Sequence, residues 1–187
     1  ERDACKVIML GVQYGMSAYG MGQKASLHVL EAKELLQRHK DVYHIFWKWA
    51  DQNVNAGLAG VELHTIYGWK IRAGKGRDVK ENTFLNWPMQ ANGAEMLRLA
   101  CIALEEEGIS ICAPVHDAIL IEAPLNEIKD HVRRATSLMQ RASEWVLGRG
   151  RQCRVNAEIV RWPERYIDGR GANMWSFIQS CFGEEVA

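Results

Sequence analysis

The chain lacks paired cysteines, an excess of either charge, long apolar runs, repeats and low-complexity segments. Its five cysteines (Cys5, Cys101, Cys112, Cys153, Cys181) are odd in number and far apart, with no CxxC pair. That excludes a disulfide framework and a thiolate zinc site, and fits a reducing, cytoplasmic interior. No apolar run approaches the roughly 20 residues of a membrane span, and no secretory leader is read at the start. A membrane partner is therefore not expected. Net charge is zero, so a uniformly basic nucleic-acid-binding surface is excluded as well.

What is present is a globular composition. Apolar residues make up 48% of the chain, with seven Trp, and charged residues 25%; these values suit one compact domain or two intimate subdomains. The charge is unevenly placed. Residues 1–80 hold 12 Lys/Arg against 8 Asp/Glu, residues 81–187 hold 11 against 15. Lys70, Arg72, Lys75, Arg77 and Lys80 are opposed within their stretch only by Asp78. Such a cluster suits phosphate contact, and equally a solvated basic loop. The sequence opens at Glu1 inside an apolar-periodic segment, as expected of a piece of a longer or split protein.

Periodicity predicts helices over residues 3–17, ending near Gly15, over 26–40, and over 42–56, where Gly57 and Gly60 interrupt the pattern. Residues 61–67 and 69–72 read as the arms of a hairpin, followed by a basic turn to Arg77. A long helix is expected over 82–107, with Met89, Met96, Leu97, Ala100 and Leu104 as its apolar stripe and Gly108 as its stop. Two apolar strands, 109–115 and 118–123, flank His116–Asp117. Helix returns over 126–147, strand over 155–160, and a short helix over 173–181. Helices first, then a small sheet with helices, define an α+β fold.

Three constellations carry chemistry. Arg2, Lys6, Leu10 and Tyr14 recur every four residues, each about 40° around a helix axis from the last. One face then offers two cations, an apolar side chain and an aromatic ring, the anatomy of a nucleoside triphosphate in reverse; Arg and Lys can neutralise phosphate oxygens. An ordinary solvated face has the same spacing. Asp117 at the tip of a hairpin is a rigidly held hard-oxygen ligand of the kind that two-Mg²⁺ nucleotidyl transfer needs, although Asp is also a favoured turn residue. Asn86 and Gln90 share a helix face and offer amides to base edges in a minor groove; a capping Asn with an exposed Gln reads the same.

Taken in order, these segments resemble the family A DNA polymerases, the polymerase I class. Residues 2–15 look like that family's motif B, R-x3-K-x3-[FY]-G-x2-Y-G, and Val115-His116-Asp117 like its motif C. Asn86–Gln90, running on through Ala94 and Arg98, is similar to the N-x-P-x-Q helix between them, and Thr65-Ile-Tyr-Gly68 to the T-x-x-G turn before it. The resemblance extends to Gly171–Trp175. It implies helical fingers over 1–75 followed by much of the palm over 76–187, with a small antiparallel sheet. It further implies that Arg2 and Lys6 bind the phosphates of the incoming nucleotide, that Lys6 and Asp117 are catalytic, that Leu10 lines sugar and base, and that Tyr14 guards the templating position. Asp117 would hold one of two Mg²⁺ ions. Asn86, Gln90 and His116 would touch the minor groove or primer terminus of primer–template DNA.

The sequence departs from the family in four places. Leu10 stands where Phe or Tyr is usual, a substitution like that of some phage polymerases. Ala118 replaces a Glu after Asp117, and Trp69 an arginine after the Thr-x-x-Gly turn. Motif A, with the second catalytic aspartate, and the thumb are absent. The chain alone is therefore expected not to polymerise DNA without an N-terminal portion, in cis or as a separate chain, and to leave apolar palm surface uncovered. The alternative expectation is a non-catalytic nucleic-acid-binding or scaffold module derived from a polymerase.

Overall fold

The computed structural model describes residues 2–73, 80–166 and 169–182, without the side chains at positions 2–4 and 7. Lys75, Arg77 and Asp78 of the basic turn lie outside the described residues. The element order is α1 (Arg2–Gln13), α2 (Ala18–Ala25), α3 (Val29–Val42), α4 (His44–Leu58), β1 (Leu63–His64), β2 (Lys70–Ile71), α5 (Glu81–Glu106), β3 (Ser110–Val115), β4 (Ala118–Glu122), α6 (Ile128–Leu147) and α7 (Ala172–Phe182). The fold is α+β: mostly helix, with two antiparallel two-stranded sheets, β1–β2 and β3–β4.

Local chemistry sets most boundaries. Ser17 caps α2, its Oγ accepting from Gly20 N at 3.2 Å, and Ser26 ends the helix in the left-handed region. α2 was not expected, because Gly20 and Gly22 weaken a helix of only eight residues. His28 and Glu31 form a reciprocal capping box at the start of α3. α5 ends in a Schellman motif: Gly108 takes φ +70°, Gly108 N donates to Glu105 O at 3.0 Å, and Ile109 N donates to Leu104 O at 2.9 Å. Leu104 and Ile109 then pack in the same core.

Helix α5 is the spine. Its end packs with α6 and the inner face of the β3–β4 hairpin, where Ala103, Leu104, Ile109, Ala135 and Leu138 are buried beneath Ile111, Ile119 and Ile121. Its start packs on α4. There a Cβ at Gly57 would lie 2.3 Å from the Phe84 ring, which is itself fully buried. The expected break at Gly57 is thus corrected: α4 runs through it to Leu58, and the missing side chain serves close packing rather than a turn. A second core, Val12, Met21 and Ala32 with Leu36 and Trp47, joins α1, α2, α3 and α4.

The strand expected over 155–160 is not formed; the stretch carries no regular structure. A strand needs a neighbouring edge, and what holds the approach to this segment is helix α6 instead. Ser143 Oγ accepts from Cys153 N at 2.8 Å, and Glu144 takes Gly150 N at 2.7 Å and Gln152 Nε2 at 2.6 Å. The last helix, α7, appears near its expected place, but none of its residues is buried, and Met174, Trp175, Phe177 and Phe182 are exposed. Among the described residues no helix is long and apolar enough to cross a membrane.

Between α3 and α4, His39 is buried. Its Nδ1 accepts from Trp47 Nε1 at 3.1 Å, so the ring proton sits on Nε2, which finds no partner among the described residues. The Tyr43 ring lies 4.7 Å away, and Lys40 stands over the Trp47 ring. Desolvation pushes the His39 pKa below its ordinary value.

Two outcomes are expected. Gly57→Ala should lower stability by about 1–3 kcal/mol in urea unfolding, because Phe84 must leave its rotamer; an unchanged midpoint would refute the packing. A histidine with a depressed folded pKa contributes fully above its unfolded pKa and loses that contribution as pH falls from there through its folded pKa. The thermal midpoint should therefore drop as pH falls below the ordinary histidine range, about 6.5, and His39→Gln should flatten that slope. An equal slope in the variant would contradict the assignment.

Candidate nucleotide and DNA interface

The site is built where α1 ends against α5. Val12 faces the core at 1% exposure, which turns Lys6, Leu10 and Tyr14 outward; Lys6 is exposed, and Leu10 and Tyr14 are 43% and 39% exposed. Arg2 lies in the first turn of α1, with its side chain outside the described set. Tyr14 itself lies one residue beyond α1, in the turn closed by Gly15 N donating to Val12 O at 3.0 Å.

Gly15 carries two demands at once. Its φ is +85°, the left-handed region that glycine tolerates, and a Cβ there would meet Asn82 Oδ1 at 2.4 Å. Bare backbone thus lets the end of α1 close on the first turn of α5. One turn further along α5, Asn86 Nδ2 donates to Tyr14 O at 3.3 Å. Another turn on, Gln90 Nε2 donates to Tyr14 Oη at 3.1 Å. Pro88 between them has no N–H to give Phe84 O, which removes a ladder bond at this point of the helix. Asn86 Oδ1 is buried without a donor among the described residues. Tyr14, Asn86 and Gln90, read separately from the sequence as nucleotide-binding and DNA-binding, are therefore one hydrogen-bonded group.

His116 and Asp117 are the two loop residues of the β3–β4 hairpin, beyond the closing pair Val115 and Ala118. His116 takes φ +54°, a positive backbone angle of the kind that tight two-residue hairpin loops require. A bulge between Ile111 and Ala113 shifts the register of β3, and Pro114 has no N–H to donate. Both side chains are exposed. Among the described residues neither makes a hydrogen bond or ion pair, and none joins them to Lys6. Nor do three His, Cys, Asp or Glu residues cluster as a complete metal cage there.

A buried acid escaped the sequence reading. Glu95 is 2% exposed on α5. Thr65 Oγ1 donates to its Oε1 at 2.7 Å, and Arg98 pairs with its other oxygen. The Thr65 hydroxyl first, then Arg98, holds the Glu95 carboxyl below its usual range against an opposing desolvation. The available signal was an acid four residues after Ala91 on the stripe that Ala91, Glu95 and Ala100 bury, with a cation three residues on. This group ties the β1–β2 turn to α5.

Comparison with known proteins follows the same architecture. The DNA polymerase family A model matches residues 1–160. The chain is 27% identical over 150 residues to the thermostable DNA polymerase I of Thermus aquaticus, covering 74% of this chain and 18% of that protein. It is 28% identical over 182 residues to DNA polymerase I of Aquifex aeolicus, covering 88% and 30%. Among solved structures, the POL domain of Pol1 from M. smegmatis, in complex with DNA primer-template and dNTP, superposes with a TM-score of 0.64 at 25% identity, over 75% of this chain and 27% of that one. The chain thus spans less than a third of the length of these relatives. With most of its length matched and the helical and hairpin segments in the expected order, the chain belongs to DNA polymerase family A.

Proposed function

We propose that this chain is the fingers-and-palm part of a DNA-directed DNA polymerase, residues 1–75 forming the fingers portion and 76–187 the palm portion. The observation that carries the reading is the junction of Tyr14 with Asn86 and Gln90, which joins the end of α1 to the stretch of α5 that we assign to DNA contact. Support comes from family membership and from a structural relative held with DNA primer-template and dNTP.

In this reading Arg2 and Lys6 neutralise the triphosphate of an incoming deoxynucleotide, and Leu10 packs on its sugar and base. Tyr14 guards the templating position, held by Gln90. Asn86, Gln90 and His116 contact the minor groove or primer terminus of primer–template DNA. Asp117 fits one Mg²⁺ ligand: its carboxylate is exposed, free of ion pairs among the described residues, and carried on the two-residue tip of the β3–β4 hairpin. Two such ions supply charge stabilisation to the entering and leaving oxygens of in-line transfer. Since Asp117 is a single ligand, with no carboxylate at 118, the remaining ligands come from another part of the polymerase, in cis or as a separate chain. Lys6 stabilises charge on the departing pyrophosphate.

The single carboxylate also favours a second reading, a nucleic-acid-binding module without its own chemistry. Substitution in the complete polymerase separates the two. Lys6→Ala should raise the nucleotide KM and lower kcat by about 100-fold. Asp117→Ala should abolish primer extension while primer–template binding stays within about twofold. Near-normal extension by the Asp117 variant would overturn the enzymatic assignment and leave the binding module.

A further inference from the structure

The β1–β2 turn presents an aromatic surface that the proposed reaction does not use. Thr65 and Trp69 close a three-residue loop: Thr65 N donates to Trp69 O at 2.7 Å, and Gly68 N to Thr65 O at 3.0 Å. Gly68 takes φ +84° with open space around it, as a type I turn followed by a left-handed residue requires. Trp69 N donates in turn to Thr65 Oγ1 at 3.0 Å. Because Thr65 Oγ1 also donates to buried Glu95, the backbone of Trp69 is tied through one hydroxyl to the spine helix.

The ring is braced as well. Arg98, paired with Glu95, stands 5.6 Å from the Trp69 ring centroid, so one face is covered by a fixed cation. The indole is nonetheless 50% exposed, and Ile66 and Tyr67 beside it on the loop are 60% and 53% exposed. Fixing a large ring in position at the expense of a buried acid, then leaving half of it in water, is not what core packing accomplishes. The charges here are largely compensated: Lys70 Nζ lies 3.1 Å from Glu62, which His64 also approaches at 3.9 Å. Arg72 is exposed at the end of the same arm. The loop offers a π-face with a weak positive flank, not a phosphate clamp.

We infer that Trp69 is a stacking platform for an unpaired nucleobase of a nucleic-acid strand, with Arg98 behind the indole and Arg72 alongside the strand's phosphates. The inference rests on the reading that this chain binds DNA, and adds a contact made through base faces rather than backbone charge. Base–aromatic stacking is tolerant of sequence and responds little to salt, whereas phosphate contacts weaken steeply as salt rises.

The test is fluorescence anisotropy of the full chain with labelled oligodeoxythymidylate and with an abasic oligonucleotide of equal length, at low and moderate salt. The wild-type chain should prefer the base-bearing strand by about tenfold. Trp69→Ala should erase that preference and leave abasic affinity unchanged; Trp69→Phe, which keeps a ring, should retain most of it. Trp69→Arg, the residue usual in the family at this turn, should bind both strands equally and with a steeper salt dependence. A Trp69→Ala chain that keeps the preference would overturn the inference. If that variant fails to fold by circular dichroism, Trp69→Phe decides: loss of the preference in a folded Phe chain overturns it. A wild-type chain that binds primer–template without any base preference removes this inference alone. A chain that binds neither oligonucleotide nor primer–template removes the DNA-binding reading with it.

Discussion

The closure of the end of α1 on the start of α5 is the constraint from which the rest of the site follows. It depends on a glycine that accepts a left-handed backbone and has no side chain to hold Asn82 away. With Gly15 in place, the Tyr14 carbonyl and hydroxyl both come within reach of α5, and two amides one turn apart take them. The bonds are partly solvent-exposed, so each adds only about 0.5–1.5 kcal/mol. Their effect is positional: they fix the rotation of α1 that turns Lys6 and Leu10 away from the core.

Helix α5 distributes that order through the molecule. At one end Phe84 fills the space left by Gly57. In the middle Glu95 fastens the β1–β2 turn, and at the far end Leu104 and Ile109 carry the hairpin that presents His116 and Asp117. A buried carboxylate without partners would be strongly destabilising; here a hydroxyl and a guanidinium satisfy it. One helix therefore positions every element to which a role is assigned, and Pro88 interrupts its hydrogen bonding between the two amides that meet Tyr14.

Much of this was legible in the residues. The long helix, the two hairpins and the two-residue tip at His116–Asp117 follow from apolar runs and turn chemistry, which are local signals. So was the shared helix face of Asn86 and Gln90, which follows from their spacing alone. That they meet Tyr14 was not legible, because the contact spans 72 and 76 residues of sequence and periodicity carries no information across such a distance. Glycine misled in both directions: Gly57 was read as a break and is a packing site, while Gly20 and Gly22 hid α2. The predicted stripe of α5 was half right. Ala100 and Leu104 are buried, but Met89 is 37% exposed, because smaller Ala91 and charged Glu95 take the inward positions. Residues 155–160 have strand composition without a strand partner, and composition cannot supply one.

The account turns on the bond between α1 and α5, and a double-mutant cycle measures it directly. Tyr14→Phe removes only the hydroxyl, and Gln90→Ala only its amide partner; urea unfolding of both single variants and the double variant gives their coupling. The structure predicts a coupling of about 1 kcal/mol, the second substitution having little effect once the first is made. Strictly additive losses, with coupling indistinguishable from zero, would show that Tyr14 and Gln90 do not meet and would contradict the arrangement of the site.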